Sequence, residues 1–312
     1  MEPTPQRAEQ LATVAGLATV GLWASAFVGI RAVAVDLSPG SIALGRYVIG
    51  AVLLGGLVAR QGWVRPGRRD SVLLVSMGVV WAAESIVLGA GERLVDAGTA
   101  AMLVGIGPIF ITLLAGVFLG EGWPARLLIG SLIAFGGTAI IGIATAAQEG
   151  GPSTNVVGVL LCVGVALLYA GQVTLQKPTL RALSGLQVTW LACLVGAITC
   201  LPFAPGLAGE LGRARPETVA WLLFLGVFPT AIGFSTWAFA LARMTAGRAA
   251  TLSYLESPTA ILISWLVLGE APAALAIGGG ALCVVGVMVA RSRGRPENVT
   301  GADEFVDRSV AV

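Results

Sequence analysis

Apolar runs of about 20 residues, each long enough to cross a bilayer as a helix, recur along the chain with short polar breaks between them. They fall at roughly 11–33, 39–59, 72–90, 97–119, 124–146, 156–176, 186–203, 218–240, 247–268 and 272–290. The pattern predicts an all-α integral membrane protein with ten transmembrane helices. Two breaks, EGWPAR (121–126) and GEAPAA (269–274), place a proline in the first turn of the following helix, where its missing N–H costs nothing. The clearest break, QEGGPSTN (148–155), lies near the middle of the chain. Residues 1–10 are polar, and the tail 291–312, first basic and then acidic, is expected to be disordered.

Composition narrows this picture. Charged residues make up 12% of the chain, about half the share usual in soluble proteins. The first apolar run is too long for a signal-peptide core and is expected to be a retained span. There is no histidine, which excludes His-based triads and His metal clusters. The single lysine, Lys177, follows no glycine-rich phosphate loop, so no nucleotide-driven motor is encoded. Cys162, Cys193, Cys200 and Cys283 all lie within apolar runs and read as small buried hydrophobes. No catalytic residue, metal or cofactor is expected, and the net charge of +2 does not suggest nucleic acid.

Charge also sets orientation. With the N-terminus inside, 14 Lys and Arg residues fall in cytoplasmic segments and 4 (Arg31, Arg93, Arg213 and Arg215) in outer loops. Positive charge concentrates on the cytoplasmic side of membrane proteins. The expectation is a multi-pass protein of the cell (inner) membrane with both termini cytoplasmic.

The two halves resemble each other. LWASAFVGIR (22–31) aligns with LYAGQVTLQK (168–177), pairing Trp23 with Tyr169. AGTAAMLVGIGPIFITLLAGVFLGE (97–121) aligns without a gap with AGRAATLSYLESPTAILISWLVLGE (246–270). Five spans per half is an odd number, so the second half enters the membrane inverted, as in secondary transporters whose halves rock about a midplane site. The Trp23-Ala24-Ser25-x-Phe27-Val28 start, Pro39 with Arg46, and the paired Gly120-Glu121 and Gly269-Glu270 endings resemble the drug/metabolite transporter superfamily of the type built from two EamA domains. The resemblance covers about residues 11–291. It implies a first EamA-type repeat at 11–146, a linker at 147–155 and a second repeat at 156–290, flanked by a cytoplasmic N-terminus (1–10) and tail (291–312). It also implies a cavity lined by spans 1, 3, 4, 6, 8 and 9. The family commonly has Leu-Glu-Pro in span nine, where this chain reads Leu255-Glu256-Ser257-Pro258.

Ionisable residues deep in the spans are few, and each costs about 2.5–3.5 kcal/mol at a helix centre. They are Arg46, Glu84 and Glu256. Arg46 and Glu84 lie at similar depth, so they could form a gate or substrate-binding pair, or a fixed structural pair that locks adjacent helices. The resemblance implies that an arginine is common at position 46, which favours a structural role for it. Trp81, Glu84, Ser85 and Leu88 share one helical face, making Glu84 a candidate for binding a substrate amine or exchanging a proton. Trp23, Tyr169, Trp237 and Tyr254 are candidate cavity walls or plain packing. Glu256, together with Pro108 and Pro258, reads as gating or structural: a carboxylate accepting hydrogen bonds at a proline-broken helix. Gly21, Ser25 and Gly29, and Gly116 with Gly120, read as small-residue packing faces.

These features point to a secondary active transporter, an exporter of a small metabolite such as an amino acid. Its partners are a small-molecule solute and the lipid bilayer, with a coupling proton and a homodimer left open. The alternatives are an amphiphilic drug efflux carrier, an exchanger of phosphorylated solutes, or a non-transporting membrane sensor or scaffold.

Overall fold

A computed structural model describes residues 5–91, 94–95, 102–148, 155–268 and 274–292. Glu270, the AG-x-AA start at 97–101, linker residues 149–154 and the tail from 293 lie outside the described residues. Where the apolar pattern is uninterrupted, the chain forms long helices: α1 (Pro5–Val33), α2 (Pro39–Gln61), α3 (Arg68–Gly91), α5 (Ala125–Gln148), α6 (Val156–Thr179) and α13 (Ala274–Arg291). Local chemistry sets their ends. Pro39 opens α2 behind an extended Ser38, and Gly62, at φ 95°, closes it. The Asn155 side chain caps α6 by accepting from the N–H groups of Val157 and Gly158.

Four of the expected spans are not simple rods. The eighth runs from Pro216 to Arg243 as α9 (Pro216–Leu225), a π-helical segment (Gly226–Gly233) and α10 (Phe234–Arg243). Pro229 lies inside the π segment and cannot donate to the carbonyl four residues back, so widening the helix accommodates it. The fourth breaks at Gly105-Ile106 before α4 (Gly107–Phe118), and the ninth breaks at Tyr254-Leu255 between α11 (Ala246–Ser253) and α12 (Glu256–Leu268). These breaks occupy the same register of the 97–121 and 246–270 alignment. The seventh, α7 (Gly185–Thr199), bends by 53° into the 201–211 segment, whose helix is α8 (Ala204–Leu211).

The described residues therefore contain seven helices long and apolar enough to cross a membrane, or eight if the bent pair is one span. The all-α membrane class stands. The expected ten continuous spans do not appear as such, because periodicity alone does not show where a greasy run breaks.

The closest helix approach is between α5 and α13. A Cβ added to Gly130 would lie 2.4 Å from the Ala290 nitrogen, and one on Gly137 would lie 2.5 Å from the Gly279 carbonyl oxygen. Gly286 faces Ala134 in the same way. The small-residue faces expected elsewhere behave differently. Gly21 has open space beside it, Gly29 receives the Leu225 side chain, and Gly116 is covered by the Trp123 indole. Gly120 has φ 68°, ending its helix through a conformation that suits glycine.

Polar contacts tie the halves together at both ends. At one end Glu210 accepts from the Ser38 N–H at 3.0 Å, and Asp36 accepts from Thr218 and pairs with Arg215 at 3.2 Å. The Thr218 hydroxyl, then the Arg215 side chain, hold the Asp36 carboxyl below its usual range. At the other end Glu121 accepts from the N–H groups of Ala246 (2.8 Å) and Gly247 (3.3 Å) at the start of α11, where the helix dipole favours an anion. All four cysteines are buried, each 0% exposed, and none forms a disulfide.

Candidate functional site

The two helix breaks face a central cavity of about 340 Å³. It is walled by α1, α3, α6, α10, α12 and the Val104–Pro108 break, the elements of expected spans 1, 3, 4, 6, 8 and 9, and also by α2 and α5. Of the candidate residues, Trp23, Trp81, Glu84, Ser85, Tyr169 and Tyr254 line it. Trp237 does not; it packs behind Trp23 and Tyr169, with ring centroids at 5.3 and 6.5 Å.

Arg46, Glu256 and Pro108, expected as gating or structural parts, also line the cavity. Pro258 does not, and faces Gly280 of α13. Both prolines stand in the first turn after a break, and not in mid-helix. There they start a helix just after the Gly105-Ile106 and Tyr254-Leu255 turns. The expected use of Glu256, to accept from N–H groups freed by Pro258, is not what the structure contains. Its carboxylate accepts no hydrogen bond from the described residues and stands free at the cavity wall.

Charge in the cavity is sparse and unpaired. Among the described residues Glu84 accepts no hydrogen bond and makes no salt bridge, and it feels Arg46 and Glu256 only at longer range. The sequence leaves open whether Arg46 and Glu84 pair; among the described residues no salt bridge joins them. Arg46 instead donates from Nε to Thr230 Oγ1 at 3.1 Å. Thr230 itself donates to the Leu225 carbonyl at 2.8 Å, the group that Pro229 leaves without its helical partner. On the same side, the Tyr47 hydroxyl bonds the Trp81 carbonyl (2.8 Å) and the Ser85 hydroxyl (2.7 Å), fixing the α3 face that carries Glu84.

The apolar part is a chain of rings. Trp81 meets Phe234 at 4.1 Å, Phe234 meets Trp23 at 5.2 Å, and Trp23 stands edge-on to Tyr169 at 6.4 Å. Tyr169 is held by a 2.9 Å bond to Ser253. Within this wall the indole N–H groups of Trp23 and Trp81 and the carbonyl oxygen of Gln172 have no partner. An unpartnered buried polar atom costs about 1–3 kcal/mol, and a cavity that admits a polar solute is where such a cost is recovered. Among the described residues there is no cluster of metal-ligating side chains.

Sequence reasoning passed over Tyr47, Gln172, Thr230 and Phe234. For Gln172 a signal was available: it stands opposite Ala26 in the 22–31 and 168–177 alignment, an amide where the mate is apolar, and both line the cavity. Thr230 was signalled only by its place directly after a helix-interior proline.

The sequence model of the EamA-like transporter family matches residues 10–143 and again 156–292. The chain belongs to this family. Two relatives agree along nearly their whole length. A Streptantibioticus cattleyicolor protein named "Probable terminal-alkyne amino-acid exporter" is 33% identical over 276 residues, covering 88% of this chain and 91% of the relative. The uncharacterized transporter YdfC of Bacillus subtilis is 30% identical over 269 residues, covering 86% and 87%. A crystal structure with 20% identity superposes with TM-score 0.75 over 90% of this chain and 96% of the other, which supports the fold alone. This EamA-type protein is thus a multi-pass membrane transporter, with a small-molecule solute and the lipid bilayer as its partners.

Proposed function

We propose that this EamA-type protein is a secondary active exporter of an amino-acid-like metabolite, working by alternating access of two inverted five-helix repeats. The observation that carries this reading is the central cavity. It lies between two helix breaks at equal register and holds Glu84, Glu256 and Arg46 against an aromatic wall. Broken helices that expose free charge at mid-depth are typical of carrier binding sites. Taking the two broken segments as spans brings eight to the ten expected, as repeats 11–146 and 156–290 joined by residues 147–155. Glu84 is the group that meets a solute amine or a coupling proton. The ties through Glu121 at one end and through Asp36 and Glu210 at the other are the contacts that rocking would exchange. The amino-acid lean draws on the name of the Streptantibioticus relative.

Purified protein in liposomes tests this. L-Leucine and L-propargylglycine, a small terminal-alkyne amino acid, should leave loaded vesicles faster than from protein-free ones, and an imposed pH gradient should alter the rate. If neither moves, the amino-acid reading is wrong. The ring-lined wall favours amphiphilic drug efflux as the second reading, which an aromatic cation moving in the same vesicles would support.

The arginine distribution supports placing residues 1–10 and 291–312 in the cytoplasm of a cell whose inner membrane holds the protein. A tag at either end should react only after the membrane is opened. Labelling of intact cells from outside would overturn this topology.

A further inference from the structure

We infer that Arg46 is the receptor for the solute's carboxylate, so that the site takes free amino acids and discriminates against amines whose carboxylate is missing or masked. This rests on the amino-acid reading of the cavity and sharpens it.

A guanidinium carries five N–H donors in a planar fork. In Arg46 only Nε has a partner, the Thr230 hydroxyl at 3.1 Å. Neither terminal nitrogen donates to any described residue, and no described carboxylate stands within salt-bridge distance, yet the side chain lines the cavity. Leaving a partly buried cation unpaired is costly, and a partner that arrives with the solute offsets that cost. A carboxylate fits the free edge of the fork with two parallel bonds, a geometry that an amide, ester or lone water does not match.

The direction of the fork is built into the backbone. Pro229 has no N–H for the Leu225 carbonyl, and the Thr230 hydroxyl donates there at 2.8 Å. A hydroxyl has one proton and two lone pairs, so once its proton is committed to Leu225 the oxygen is left to accept. It accepts from Arg46 Nε. Thr230 is 0% exposed, and water does not compete for this relay. The relay holds the near edge of the guanidinium and leaves the far edge free.

The remaining cavity groups complete a dipolar site. Glu84 and Glu256 also stand without hydrogen-bond partners among the described residues and can receive an ammonium. Gln172, 4% exposed with its carbonyl oxygen unpartnered, adds a neutral acceptor. The rings of Trp23 and Trp81 leave an apolar strip for a side chain.

The test is counterflow of labelled L-propargylglycine or L-leucine in proteoliposomes, competed by the free amino acid, its methyl ester and the corresponding decarboxylated amine. On the wild type the free acid should compete at a concentration at least about tenfold lower than the ester or amine, the factor given by about 1.4 kcal/mol. Arg46→Gln should bring that ratio close to one by weakening the acid and leaving the ester unchanged. Arg46→Lys, which keeps the charge but loses the fork, and Thr230→Val, which loosens its aim, should give intermediate ratios. An ester that competes with the wild type as well as the acid does overturns the assignment and leaves the cavity reading intact, without need of any variant. If neither labelled amino acid shows counterflow, the amino-acid reading and this assignment fall together.

Discussion

Gly286→Ala is expected to lower the thermal midpoint of the detergent-purified protein by roughly 2–5 °C, or to prevent its accumulation, whereas Gly278→Ala on the same helix should not lower it. The two substitutions add the same methyl group to α13. At Gly286 that methyl would lie 2.4 Å from the Ala134 nitrogen and 2.6 Å from the Gly130 carbonyl oxygen. Both are backbone atoms of α5, and backbone does not swing aside. At Gly278 nothing lies within 4 Å, and alanine is the better helix former by about 0.5–1 kcal/mol. Overpacking typically costs ~1–3 kcal/mol. Lipid tails are as apolar as the helices, so α5 and α13 are held by close van der Waals contact and not by exclusion from water. Forcing them apart at Gly286 also loosens the neighbouring contacts at Gly130, Gly137 and Gly279. Melting both variants by light-scattering or size-exclusion assay checks this; equal midpoints would mean that the close approach does not support the fold.

The second large effect falls on transport. Glu84→Gln keeps the size and planarity of the side chain and removes its charge. Because Glu84 accepts no hydrogen bond and makes no salt bridge with the described residues, the exchange breaks no contact of the resting fold, and protein level should be near normal. A solute ammonium loses a charge-assisted partner worth about 1.5–3 kcal/mol, so transport of a free amino acid should fall by about tenfold or more. If Glu84 also carries a proton, the variant loses the pH dependence of the wild-type rate. Efflux from proteoliposomes across a range of pH separates these outcomes, and kinetics identical to wild type at every pH would remove Glu84 from the site.

Much of the architecture was legible because its causes are local and repeated. A run of 20 apolar residues has few fates in a bilayer, and the LGE endings at 121 and 270 reveal the second copy of the motif. The cavity face of α3 was legible for a similar reason: helical spacing puts Trp81, Glu84, Ser85 and Leu88 on one side. What stayed hidden depends on contacts between distant segments. The partner of Arg46 is 184 positions away, and depth alone suggested Glu84, an acid of similar height. Glu256 looked like a local brace for Pro258, but proline in a first turn leaves no interior gap to fill. Among the described residues, the backbone contact between α5 and α13 runs through Gly130, Gly137, Gly279 and Gly286, glycines spaced by seven on each helix, a spacing that the small-xxx-small pattern does not contain.

The four cysteines bear on how this transporter can be studied. Each is 0% exposed, and none lines the central cavity. Accessibility chemistry on carriers ordinarily begins by stripping native thiols, with the loss of packing that each replacement brings. Here every native thiol is buried, and slow reaction with thiol reagents is the expected result. A single cysteine placed on a cavity wall, at Ala26 or Ala260 for example, would be the one reactive group in an otherwise unaltered protein. Its rate of modification from either side of the membrane would then read directly which way the cavity faces.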